Sequence, residues 1–251
     1  MTEKTPKRLT PNEFWLMAAS WGSAMTAGDP GSCMYGFDEN GLVQSEEHRQ
    51  NCIEYIETEC RRIADADTAS DGGGTGQRAG EIQAMLMYLK TAPIEGDAPD
   101  LDDFTKSYIE AALWSTNDEG DETGGEPLDR NYGAAHIAPE SLRRIISDCA
   151  HFQATYGGLL TNENLIHSRG GSSVLGMAAH DFWLTRNGHG AGFWDGDWSE
   201  RVEDILSKAA RSYGEADLYV GDDGRIYQSG GVESPAPIPG ALAAEAPSPS
   251  P

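Results

Sequence analysis

The segment that most constrains the fold is residues 180–198, where a helix pattern runs into a glycine-rich turn. It holds three of the six tryptophans, two of the six histidines and four glycines. Trp183 lies at the end of the helix pattern, and Asn187-Gly188 is typical of a left-handed helix C-terminus. Gly192 adds the conformational freedom that a tight turn needs. We therefore expect the turn to pack Trp183 and Trp194 into a core.

Helix signals recur along the rest of the chain. Thr10-Pro11-Asn12-Glu13 is a capping box with proline at the first helical position. Apolar residues at helical spacing follow it and recur in further segments as far as Tyr213-Gly214. This recurring spacing predicts about six helices. Near the C-terminus, β-forming residues flank Gly221-Asp222-Asp223-Gly224, which is typical of a hairpin turn. The fold class we predict is α+β, mainly helical, with a C-terminal β-hairpin.

The helix pattern also suggests two related helical halves. A shift of 93 residues takes Trp21 to Trp114 and Ile53 to Ile146. An internal duplication explains these matches, and so does the periodicity that unrelated helices share. The predicted organisation is a flexible N-terminus (1–9), a first half (10–96), a second half with the aromatic segment and hairpin (97–229), and a disordered Pro/Ala/Ser tail (230–251).

The charge of the chain is strongly one-sided, with 41 acidic against 18 basic residues and a net charge of −23. Residues 95–129 hold twelve carboxylates and one cation, Lys106. Such a field repels phosphates, so we expect no direct binding of nucleic acid, and it favours partners with a basic surface. Solubility or a saline host would explain the same excess. No apolar run approaches 18 residues, so we expect no membrane span and a cytoplasmic protein.

Several polar side chains in two segments are candidates for chemistry or binding. In residues 180–198, two imidazoles and nearby carboxylates could supply a general base or hold a divalent metal, although their spacing fits no common zinc motif. An aromatic turn that only locks the core explains the same residues. The catalytic candidates are His180, His189 and Asp195, the metal-ligand candidates are His180, His189, Asp195 and Asp197, and the binding candidates are Arg186, Asn187, His189, Asp118, Glu119, Asp121 and Glu122.

Two sequence blocks carry a resemblance to known proteins. Residues 180–195 read HDFWLTRNGHGAGFWD, and residues 217–224 read DLYVGDDG. The chain resembles in these blocks a group of small acidic proteins encoded by bacteriophages and prophages. The resemblance implies a phage setting in the host cytoplasm but no reaction.

Charge and resemblance together favour a non-enzymatic accessory protein without a cofactor. We expect it to bind a host protein with a basic surface by imitating the charge of DNA, as an inhibitor of a host defence would. The alternative is a metal-dependent enzyme or small-ligand binder centred on residues 180–197.

Overall fold

A computed structural model describes residues 9–21, 43–71, 75–94, 100–119, 125–168, 171–232 and 235–238. The described chain is mainly helical and ends in a two-stranded antiparallel hairpin, which confirms the predicted fold class. It divides into two compact units. The first comprises Met1–Pro99, Asn131–His136 and Val220–Arg225, and the second comprises Asp100–Arg130, Ile137–Tyr219 and Ile226–Pro251. Among the described residues, no helix is long and apolar enough to span a membrane.

The first unit consists mainly of helices. They are α1 (Pro11–Ser20), α2 (Glu46–Tyr55), a π-helical turn (Ile56–Cys60), α3 (Arg61–Asp71) and α4 (Thr75–Thr91). The predicted capping box is present, since Thr10 accepts from the Glu13 N–H and the Glu13 carboxylate accepts from the Thr10 N–H. Buried Arg49 caps the C-terminal end of α4 by donating to the carbonyls of Leu89 and Ala92. These hydrogen bonds satisfy carbonyl acceptors that have no partner within the helix.

The second unit contains α5 (Asp103–Ser115), α6 (Pro139–Tyr156), α7 (Val174–Arg186) and α8 (Glu200–Ser212). Asp102 and Ser173 cap the N-termini of α5 and α7 with their side-chain oxygens. Helices α5 and α7 approach closely, since a Cβ added at Gly176 of α7 would lie 3.3 Å from Ser107 Oγ of α5. This close approach positions the aromatic side chains of both helices in one core.

The hairpin pairs β1 (Ala216–Val220) with β2 (Ile226–Gly230), as the sequence predicts. The Gly221 N–H donates to the Arg225 carbonyl, and Gly224 adopts a φ of 79°. The chain continues in contact with the second unit beyond residue 229, because the Val232 N–H donates to the Tyr213 carbonyl at 2.6 Å. Most of the predicted tail and residues 1–8 lie outside the described residues.

Candidate functional site

The end of α7 is fixed by Asn187 and Gly188, the pair predicted to close the helix. Asn187 Nδ2 donates to the Trp183 carbonyl at 3.0 Å, and its Oδ1 accepts from the Ala216 N–H at 2.7 Å. Gly188 has a φ of 66°, which confirms the left-handed conformation. Asn187, a predicted binding residue, thus joins the end of α7 to the start of β1.

The glycine-rich turn folds back against α7 at Gly192. A Cβ at this position would lie 2.2 Å from Thr185 Oγ1, and the φ of 148° suits glycine alone. The following Phe193 donates its N–H to Thr185 Oγ1 at 2.9 Å and is fully buried. Trp194 is 41% exposed, so the prediction that it belongs to the core is wrong. The hydrogen bond to Thr185 anchors Phe193 in the core, and the turn leaves its neighbour at the surface.

Arg186, a predicted binding residue, lies inside the second unit. Its Nη1 donates to Asp148 Oδ2 at 3.0 Å and to the Tyr108 hydroxyl at 2.7 Å. Its Nε and Nη2 donate to the carbonyls of Gly214 and Tyr213 at 2.9 and 3.0 Å. Each of the three guanidinium nitrogens therefore has a partner within the protein, and the residue as a whole is 2% exposed. We interpret Arg186 as a structural residue that joins α5, α6, α7 and the end of α8.

Burial and neighbouring charges shift the pKa values of several groups around Arg186. Burial lowers the pKa of the Arg186 guanidinium, but Tyr108 and Asp148 outweigh it and hold that pKa above its ordinary value. Burial raises the pKa of the Tyr108 hydroxyl, the Tyr213 hydroxyl and the Cys149 thiol. Near neutral pH the Tyr108 and Tyr213 hydroxyls and the Cys149 thiol therefore stay protonated.

Two buried tryptophans hold α7 through their indole N–H groups. Trp183 Nε1 donates to Ser115 Oγ at 2.7 Å, and Trp198 Nε1 donates to Asp181 Oδ2 at 2.8 Å. Both rings are 1% exposed, which confirms the predicted core position of Trp183. Because a buried indole N–H needs an acceptor, these bonds specify one packing of the core.

His180 is the catalytic candidate that the structure places beside a buried carboxylate. Its Nδ1 lies 3.4 Å from Asp181 Oδ1, and its side chain is 34% exposed. The ring lies 6.2 Å from that of Trp114, which is 57% exposed. His180 and Trp114 thus form a surface pair next to the carboxylate that holds Trp198.

The other catalytic and metal-ligand candidates are His189, Asp195 and Asp197. Each takes part in a different hydrogen bond with the backbone. The His189 N–H donates to the Leu184 carbonyl, and Asp195 Oδ2 accepts from the Gly192 N–H at 3.3 Å. The Asp197 carbonyl accepts two backbone N–H groups. Within the part of the chain that the structure describes, no group of three or more His, Cys, Asp or Glu side chains could hold a metal ion. The structure therefore does not assemble His180, His189, Asp195 and Asp197 into such a group.

Two backbone hydrogen bonds join residues 116–118, which follow α5, to residues 126–128. The Asp118 N–H donates to the Glu126 carbonyl at 3.0 Å, and the Leu128 N–H donates to the Thr116 carbonyl at 2.8 Å. Asp118, a predicted binding residue, lies at this backbone pairing and is 9% exposed. Glu119 is exposed, whereas Asp121 and Glu122 lie outside the described residues.

Most described carboxylates of this segment face solvent. Residues 100–130 hold ten carboxylates and two cations, Lys106 and Arg130. Arg130 Nε lies 3.8 Å from Glu126 Oε2 on the surface, a distance at which exposed pairs contribute little. We call the following seven exposed residues the acidic face: Asp100, Asp102, Asp103, Glu110, Glu119, Glu126 and Asp129.

The hydrogen-bond partners of Arg186 were not predicted from the sequence, although the position of one of them, Asp148, is informative. Asp148 lies on the buried face of α6 with Ile145, Cys149 and Phe152. A carboxylate at an apolar position of an amphipathic helix needs a buried partner, so its position indicates an internal ion pair.

Comparisons with known proteins identify no relative: no family model, no curated protein and no solved structure matches the chain.

Proposed function

We propose that this chain is a phage-type acidic accessory protein that binds a basic surface of a host protein in the host cytoplasm. In this proposal the protein is not an enzyme, and its carboxylates imitate the charge of DNA toward a nucleic-acid-binding host factor of the defence type. The observation that carries the proposal is the acidic face, whose seven carboxylates are exposed and are opposed by two cations in the same segment.

The charge distribution supports association with a cation-rich partner. A net charge of −23 produces a field that accelerates the encounter with a basic surface. The same field opposes direct contact with nucleic acid, since phosphates would gain no counterion release from carboxylates. A surface that attracts basic proteins and repels DNA can compete with DNA for one partner.

The arrangement of residues 180–198 also supports a binding protein over an enzyme. The charged side chains of Arg186 and Asp181 in this segment are both buried and bonded to the core. Asn187 bonds to the backbone on both sides. These residues stabilise the second unit. The abundant exposed charged groups are therefore the surface carboxylates, which can bind a basic partner.

Competition with DNA tests the proposal. The immobilised protein is incubated with bacterial lysate at low and at high salt, and captured proteins are identified. We expect a basic partner that is lost at high salt. Adding duplex DNA should then displace the purified partner in a concentration-dependent way. A partner that stays bound in excess DNA would contradict charge imitation, and capture unaffected by salt would contradict an electrostatic interface.

The alternative function, a small-ligand or metal-dependent site, rests on the surface pair of His180 and Trp114. A half-exposed imidazole beside buried Asp181 is an arrangement in which a carboxylate orients a general base. Changing His180 to Ala should leave partner capture intact if the acidic face is responsible. A divalent ion that binds the natural protein stoichiometrically and is lost in a folded His180→Ala variant would favour the alternative.

A further inference from the structure

The first unit contains a cavity of about 330 Å³ that the proposed function does not use. All of its lining residues belong to this unit. Carbon atoms form most of its walls. The apolar part comes from the start of α1, the end of α4 and a short segment before α6, and its principal side chains are Leu9, Pro11, Met87, Tyr88, Pro93 and Tyr132.

The size and composition of the cavity suit a small molecule. Binding sites for such ligands are typically cavities of about 300–1,000 Å³ with apolar and aromatic walls and few polar groups. The ring of Tyr88 is held in position by Phe14, because the two rings stack with their centroids 4.4 Å apart. Tyr132 packs against the edge of His136 at 5.6 Å. These contacts give the cavity preorganised aromatic walls.

The charged side chains that line the cavity cancel one another. Lys90 and Arg225 contribute two cations, and Asp222 and Asp223 contribute two carboxylates. Asp223 Oδ1 accepts from the Arg225 N–H at 3.0 Å, which fixes the turn that carries three of these residues. Because these charges balance in a chain of net charge −23, the lining gives no net preference for a cation or for an anion. It selects an uncharged ligand.

We propose that the cavity binds a small, uncharged, mainly apolar ring compound. The sequence block at 217–224 gains a role in this proposal, because Asp222, Asp223 and Gly224 of that block line the cavity. The site is independent of the acidic face, so each can fail without the other.

Two dyes with the same ring system test the site and its charge selectivity. N-phenyl-1-naphthylamine is uncharged, and 8-anilinonaphthalene-1-sulfonate adds one sulfonate to that skeleton. We expect the neutral dye to bind the full-length protein with a stoichiometry of one and the sulfonate to bind at least about tenfold more weakly. Equal affinity for both dyes, or binding of neither, would overturn the proposal.

A matched pair of variants locates the neutral dye. Met87→Trp places an indole in the cavity wall, whereas Leu16→Trp places one on the exposed side of α1 in the same unit. Met87→Trp should weaken binding by about tenfold or more, and Leu16→Trp should leave it unchanged. If Met87→Trp does not fold, Thr91→Phe at a half-exposed lining position should show the same loss. Binding that survives in a folded cavity variant would overturn the assignment.

Discussion

Arg186 Nη1 lies 3.0 Å from Asp148 Oδ2, and these two side chains are 0% and 2% exposed. The pair joins α7 to α6 in the interior of the second unit. A buried ion pair is retained only when further hydrogen bonds satisfy its remaining donors, and Tyr108, Tyr213 and Gly214 provide them for Arg186. The segment that looked most like an active site is therefore also the segment that stabilises this unit.

Removing one partner of this pair should be strongly destabilising. Arg186→Met leaves the Asp148 carboxylate buried without its cation, and we expect a loss of about 3–5 kcal/mol in the free energy of unfolding. Urea unfolding followed by tryptophan fluorescence measures it. The double variant Arg186→Met with Asp148→Leu should lose clearly less than the two single variants together. Strict additivity would show that the two charges do not interact.

The two tryptophans of the α7 segment should differ sharply in their contribution to stability. Trp183→Ala removes a buried ring and its bond to Ser115, which should cost about 3–5 kcal/mol. Trp194→Ala removes a ring that is 41% exposed and should cost less than about 1 kcal/mol. Thermal and urea unfolding of both variants provide the comparison. A similar large loss for Trp194→Ala would place its ring in the core after all.

Two glycines of the turn provide a matched test of its geometry. Gly192→Ala brings a Cβ against Thr185 and requires a φ of 148°, so we expect a loss of about 1–3 kcal/mol or more. Gly190→Ala meets nothing within 4 Å and should change stability by less than about 0.5 kcal/mol. Unfolding midpoints of the two variants measure the difference. Equal tolerance at the two positions would contradict the close approach of the turn to α7.

Asp102 should make stability depend on pH in the acidic range. Burial raises the pKa of its carboxyl, but hydrogen bonds from Thr105 and Gln153 and the charge of Lys106 outweigh burial, so the pKa lies below its ordinary value. The native state then binds fewer protons than the unfolded state. The stabilisation is complete above the unfolded pKa near 4 and is lost as the pH falls through the lower folded pKa.

The variant Asp102→Asn separates the charge from the N-cap. Asparagine caps a helix about as well as aspartate, so the helix start is preserved while the titration is removed. The difference in unfolding free energy between the natural protein and this variant, measured by urea unfolding from neutral to acidic pH, should shrink as the pH falls. A difference that is constant or grows toward acid would contradict a lowered pKa of Asp102.

Local signals in the sequence predicted the local structure well. Thr10 with Glu13, Asn187 with Gly188, and the turn at 221–224 each depend on residues within a few positions, so a short segment contains the whole interaction. Interactions distant in sequence were not predictable in the same way. Arg186 donates hydrogen bonds to Tyr108, which is 78 residues away in the sequence, and to Asp148, which is 38 residues away. No local sequence pattern pairs these residues.

The candidate residues show the same limit. The sequence predicted Arg186 as a binding residue, but its burial depends on how α5, α6 and α7 pack. Trp194 was assigned to the core from its residue type, whereas the hydrogen bond from Phe193 to Thr185 decides which ring points inward. The duplication of two halves stays a prediction.

Two triple variants of equal charge test whether the acidic face is the surface that binds the partner. One neutralises Glu119, Glu126 and Asp129 on the acidic face. The control neutralises Glu54, Glu57 and Asp65, which are exposed on the α2–α3 helical run of the first unit.

The measurement is the association rate with the captured host partner as a function of salt. We predict that the first triple slows association by about tenfold at low salt and flattens its salt dependence, while the control changes it little. Equal slowing by both triples would show a diffuse effect of net charge. An unchanged rate in the acidic-face triple would contradict this face as the binding surface.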